Sequence, residues 1–145
     1  MSDELMRVDL PCKSSFKDLR DKAFKIMTRL RQKNFTNENN GVTVKITREG
    51  IDKILSPKAV NKTVEHGYKK EFHFAAAQKV GNLFEKARFS HSEEARNKSA
   101  DIVAFHKYLV DFRVENKLTR AKITIKESVG HKIYSLELLE IKQVA

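Results

Sequence analysis

Residues 102–141 read IVAFHKYLVDFRVENKLTRAKITIKESVGHKIYSLELLEI, and the alternation inside this stretch decides the architecture. Arg120, Lys122, Thr124 and Lys126 fall on one side of an extended segment and Ala121, Ile123 and Ile125 on the other, the period-two pattern of a half-buried strand. Three strands are expected: Ile102 to Glu115, Leu118 to Glu127 and Lys132 to Ile141. The connectors Asn116-Lys117 and Ser128-Val129-Gly130-His131 are short, which favours antiparallel hairpins.

Working back from this meander, the pattern changes to helical spacing. Ser14 and Ser15 are N-cap residues, and Phe16, Leu19, Ala23, Ile26, Met27 and Leu30 recur every three or four positions, predicting a helix from Phe16 to Lys33. Lys17, Arg20, Lys22, Lys25, Arg29 and Arg31 occupy its other face, read as solvated. Asn34 to Gly41 is rich in turn formers. Val42, Val44 and Ile46 alternate with polar residues and predict a strand to Thr47, which caps a short helix from Gly50 to Leu55 that Pro57 stops. Lys58 to Lys70 has no clear periodicity and is expected as a loop with at most one helical turn. From Glu71 to Ala87, Phe72, Ala76, Val80, Leu83, Phe84 and Ala87 line one side of a second long helix, and Phe89 to Asp101 is expected as a polar, mobile connection. The fold expected is α+β, with two main helices packed on a four-stranded antiparallel sheet. Residues 1–15 are an N-terminal tail and residues 16–145 a single domain.

The 145 residues contain 29 Lys and Arg against 19 Asp and Glu, a formal charge of +10. That field attracts polyanions, so RNA is the first partner to consider. A single cysteine, Cys12, allows neither an internal disulfide nor a thiolate metal cluster, and suits a reducing, cytoplasmic setting. Met1 to Leu10 carries acids early and has no apolar core of a signal sequence, and no stretch approaches a membrane span. With five glycines in the chain there is no phosphate-cradling loop, no Gly-x-Ser-x-Gly elbow and no cofactor motif. His66, His91 and His131 stand at no metal-ligand spacing, so no metal is expected.

Three groups of words are familiar together. They are Asn39 to Leu55 (NNGVTVKITREGIDKIL), the His73-containing helix ending in Phe84-Glu85-Lys86-Ala87, and the closing set Phe105-His106-Lys107-Tyr108, Arg120 to Lys126 and Ile133 to Ile141. The pattern resembles the third of the large polyvalent protein-associated domain families, and is similar to the barnase, EndoU, colicin and RelE-like nucleases of phages and mobile elements. The resemblance implies a helix pair leading into a four-stranded antiparallel sheet. It also implies a metal-independent ribonuclease ancestry, of toxin or phage type, whose catalysis individual members have in some cases lost. A toxin of this kind would also meet an acidic immunity or antitoxin protein.

Metal-free RNA cleavage needs a base for the ribose 2′-hydroxyl, an acid for the leaving oxygen and cations on the phosphate. His73, beside Lys69 and Lys70, is one candidate proton carrier, against the alternative of a helix-start histidine that packs or caps. His106 shares a strand face with Tyr108, so the two could move a proton and stack a base, or form a half-buried structural pair. Arg120 and Lys122 form a phosphate platform if their face adjoins His106, and are merely solvated if it does not. Tyr134 is the third catalytic candidate. Glu137 ranks below it, because Tyr134 is the residue shared with the Tyr-x-x-Glu word of the resemblance, and regular alternation puts the two on opposite sides, so they cannot serve one site without a bulge. The catalytic reading requires His73, His106, Arg120 and Tyr134 to converge on one cleft. Without convergence, a non-catalytic RNA- or protein-binding module is the alternative.

Overall fold

The computed structural model describes residues 5–94 and 102–141. Its element order is β1 (Arg7–Val8), α1 (Phe16–Leu30), β2 (Asn34–Thr36), β3 (Thr43–Ile46), α2 (Arg48–Ile54), α3 (Pro57–Glu65), α4 (Lys70–Gln78), α5 (Val80–Lys86), β4 (Arg88–Glu94), β5 (Ala104–Val114), β6 (Lys117–Ser128) and β7 (Gly130–Leu139). The class is α+β, but five helices and a seven-stranded mixed sheet replace the expected two helices on a four-stranded antiparallel sheet.

The meander β5-β6-β7 forms as its alternation predicts, with antiparallel register from Ala104↔Glu127 to Val114↔Lys117 and from Arg120↔Leu139 to Ser128↔Gly130. The sheet is mixed because two additions run parallel: β3 beside β7 (Lys45↔Lys132) and β1 beside β5 (Arg7↔Arg113). Thus part of the expected tail is a sheet strand; its residues 1–4 lie outside the described residues. The strand β2 pairs antiparallel with β3, and β4 pairs with the first half of β5. The polar connection expected from Phe89 therefore begins as a strand, while residues 95–101 lie outside the described residues.

The helices differ from expectation for local reasons. Ser15 caps α1 by accepting from the Asp18 N–H at 3.2 Å, a bond that stabilises a helix start by about 1 kcal/mol, and α1 ends at Leu30 rather than Lys33. Thr47 caps α2 in the same way. Pro57 does not merely stop α2: with Ser56 accepting from Ala59 N–H, it opens α3, because the first helical turn has no use for the N–H that proline lacks. The segment expected as a loop is thus largely helix. The second long helix is two, α4 and α5, separated at Lys79 (φ −116°, ψ 15°). The break lets α5 press Gly81 against the Phe35 ring so closely that a Cβ there would collide with it.

One face of the meander carries Tyr108, Val110, Phe112, Ala121, Ile123, Leu136 and Leu138 into the core, where Phe74, Phe84 and Leu83 from α4 and α5 are wholly buried. Each buried Val, Leu, Ile or Phe among these stabilises the fold by roughly 1.5–3 kcal/mol through removal from water. Asn37 is buried beside them with its amide donating to the carbonyls of Phe84 and Ala87 and its oxygen accepting from the N–H groups of Asn39 and Asn40. It thereby ties the β2–β3 turn to the end of α5. No helix among the described residues is long and apolar enough to cross a membrane.

Candidate functional site

The other face of the meander is polar, and α2 and α3 stand beside it. Cross-strand register places Lys107, Thr124 and Ser135 in one row and Leu109, Lys122 and Glu137 in the next. Lys58 and Lys62 on α3 and His66 at its C-terminal cap are spaced by four, hence on one side of the helix. Between them runs a groove of about 600 Å³ whose lining includes Lys53, Lys58, Lys62, Lys107 and Lys122 with Phe105, Tyr134 and Glu137. Among the described residues, five lysines face one carboxylate.

Tyr134 reaches this groove through a defect in the ladder. Thr124 pairs with Ser135 and Ile125 with Ile133, leaving Tyr134 as an extra residue in a β-bulge. A bulge re-aims a side chain, so Tyr134 and Glu137 line the same groove despite their spacing. The Tyr134 hydroxyl accepts from Lys53 Nζ at 3.0 Å. That ammonium also lies 4.2 Å from the ring centroid, Lys126 lies 5.4 Å away, and the Phe105 ring is 5.1 Å distant. The result is an aromatic wall flanked by cations.

The charges of the groove are only partly compensated. Glu137 holds Lys122 at 2.9 Å and is 3.5 Å from His66. Burial raises its pKa, but the hydrogen bond and charge of Lys122, with Lys62 and His66, outweigh burial and hold the carboxyl below its usual range. Lys107 donates to Thr124 Oγ1 at 3.1 Å. Burial lowers its pKa, and the charges of Lys122 and Lys53 add to this against the opposing Glu93 and Glu137.

The residues proposed from sequence do not converge. His73 is wholly buried: its Nε2 donates to the Ile54 carbonyl and its Nδ1 accepts from the Thr63 hydroxyl, each at 2.7 Å. Both ring nitrogens serve α2–α3–α4 packing, and burial lowers its pKa despite the pull of Ile54, so it has no nitrogen for a substrate proton. His106 lies on the sheet face opposite Tyr134, since Phe105 and Lys107 on either side of it line the groove. Tyr108 follows His106's face but is buried, its hydroxyl accepting from Asn40 at 2.9 Å; stacking a base there is excluded by packing. Arg120 is held by Asp111 through two bonds of 2.7 and 3.1 Å in a separate depression with Glu38, Lys86 and Arg88. Lys70 pairs with Glu71, Lys69 is exposed, and neither lines the groove. Of the proposed set, Lys122 and Tyr134 meet.

What sequence reasoning missed is Lys53, Lys58, Lys62 and Lys107. The four-residue spacing of Lys58, Lys62 and His66 was the available signal, and it becomes visible once Pro57 is read as a helix start. On the opposite sheet face, His106, Glu127 and His131 gather into a second cluster, the one group among the described residues able to offer three metal-ligating atoms together. A model of the family described as large polyvalent protein-associated domain 3 matches residues 14–134. No curated protein and no solved structure matches the chain.

Proposed function

Starting from the fact that the chain belongs to the large polyvalent protein-associated domain 3 family, we propose that it is a binding module that holds single-stranded RNA in the groove between α3 and the meander. The observation that carries this reading is the convergence of Lys53, Lys58, Lys62, Lys107 and Lys122 on an aromatic wall, with one acid already paired. Like charges held together repel one another, and a polyphosphate is the ligand that turns this cost into attraction. Phe105 and Tyr134 supply flat surfaces for bases, which a single strand can present and a duplex cannot. Cleavage has less support, because the buried His73 and His106, which faces the other side of the sheet, form no acid–base pair in the groove.

The test is fluorescence anisotropy with a labelled single-stranded RNA across a salt series. Four phosphate contacts give log Kd a dependence on log salt with a slope of about 3, since each contact to a single strand contributes roughly 0.7. The double variant Lys58→Gln, Lys62→Gln changes exposed side chains and is expected to lower that slope by about 1.4. A folded protein that does not bind, or a slope unaffected by the double variant, defeats the groove assignment. Fragments ending in cyclic phosphate, produced in EDTA, would instead favour a nuclease.

A further inference from the structure

The second cluster is assembled by strand register alone. Glu127 and His131 are direct partners across the β6–β7 hairpin, and His106 is the diagonal neighbour of Glu127 across β5–β6. Diagonal and direct neighbours on one face are within side-chain reach. His106 Nε2 lies 2.7 Å and His131 Nε2 3.8 Å from Glu127 Oε1, and the potential ligand atoms all lie within 4.8 Å of one another. All three side chains are partly exposed, at 20, 33 and 34%.

We propose that His106, Glu127 and His131 form a three-ligand site for a divalent transition cation of the zinc type, with its fourth position open to solvent. Two imidazoles and one carboxylate suit zinc, cobalt or nickel rather than magnesium or calcium, which prefer all-oxygen shells. Ligand atoms on tetrahedral zinc stand about 3.3 Å apart for bonds of roughly 2.0–2.1 Å. The His106–Glu127 pair therefore opens slightly and His131 closes in, movements that rotation of partly exposed side chains supplies. The Ser92 hydroxyl is 2.6 Å from His106 Nδ1 and is the orienting partner that ligating histidines commonly have. Without metal, Nε2–H donates to Glu127 and Nδ1 accepts from Ser92. With metal, the ring takes the other tautomer: Nε2 offers its lone pair to the cation and Nδ1–H donates to the Ser92 oxygen. A ligating imidazole is neutral, so the Glu127 carboxylate supplies the one negative charge of the site.

The experiment is calorimetric titration of the chelator-treated, full chain, carrying no added histidine tag, with zinc alone. One zinc per chain is expected, with an accompanying rise in unfolding temperature because the cation binds only the folded arrangement of β5, β6 and β7. Cobalt in its place is expected to show the visible absorption of a tetrahedral site. His131→Ala, at the hairpin end, and Glu127→Gln are expected to weaken zinc at least about a hundredfold, and Ser92→Ala about tenfold. His91→Ala, whose ring contacts Glu93, leaves binding unchanged. Absence of stoichiometric zinc binding by the folded wild type overturns the site, as does wild-type affinity in folded His131→Ala and Glu127→Gln.

Discussion

Replacing His73 by Gln separates a packing role from a proton-carrying one through the pH dependence of stability. In the folded protein His73 is buried and neutral, with burial holding its pKa below the usual value, whereas in the unfolded chain it titrates near about 6.5. Above that pH both states are neutral and the histidine contributes its full stabilisation. As the pH falls below it, only the unfolded chain takes up the proton. Stability is then lost at about 1.4 kcal/mol per pH unit until the lowered folded pKa is reached. At neutral pH, His73→Gln should cost about 2–3 kcal/mol, because the Thr63 hydroxyl and Ile54 carbonyl lose well-placed partners in the core. The variant has no group to protonate there, so its deficit relative to wild type should shrink steadily as the pH falls below about 6.5, by at most about 1.4 kcal/mol per pH unit. Urea unfolding of both proteins across this range measures the difference directly and cancels every other titrating group. A deficit that stays constant with pH would mean that the folded imidazole protonates like an exposed one, refuting the burial argument and restoring His73 as a candidate acid.

Gly50→Ala should lower stability by about 2 kcal/mol, seen as a fall of roughly 7 °C in unfolding temperature, because its Cβ would collide with the Ile133 carbonyl, and backbone cannot step aside as a side chain can. An unchanged melting temperature would place α2 farther from β7 than described. Glu137→Gln removes the one carboxylate that lines the groove among the described residues and releases Lys122. It should tighten RNA binding by about 0.7 kcal/mol, roughly threefold at low salt, and weaker binding would contradict the groove's electrostatic role.

The parts of this fold legible in the sequence are those whose hydrophobic period is long enough to register. β5 and β6 carry clear stretches of alternation, β7 resumes it from Leu136 after its bulge, and α1 repeats its apolar positions over four turns. β1 has two residues, β2 three, and β4 exposes every residue, so none carries an alternation to read, and their partners are chosen by tertiary packing. Pro57 reads in the sequence as an end, and the Ser56 cap makes it a beginning. The site was legible only in fragments. Tyr134 was found, with the condition that a bulge must bring it beside Glu137, but the bulge itself leaves no mark in composition. The lysines of α2, α3 and β5 meet because distant segments pack together, and His106 joins Glu127 and His131 through register, which spacing along the chain does not encode.

The parallel seating of β1 on the far end of β5 bears on the order in which the protein can assemble during synthesis. Arg7 leaves the ribosome roughly a hundred residues before Arg113, its partner, and β3 likewise waits for β7, separations that slow closure. The early helices must therefore wait, with the surfaces they turn to the sheet uncovered, until β5, β6 and β7 emerge. β5, β6 and β7 then pair among themselves through short turns and offer the earlier strands two ready edges. A ribosome stalled before β7 would hold a chain whose α2 and α3 have no sheet to lie against, and it is in that interval that this basic polypeptide is most exposed to capture by chaperones or by its own copies.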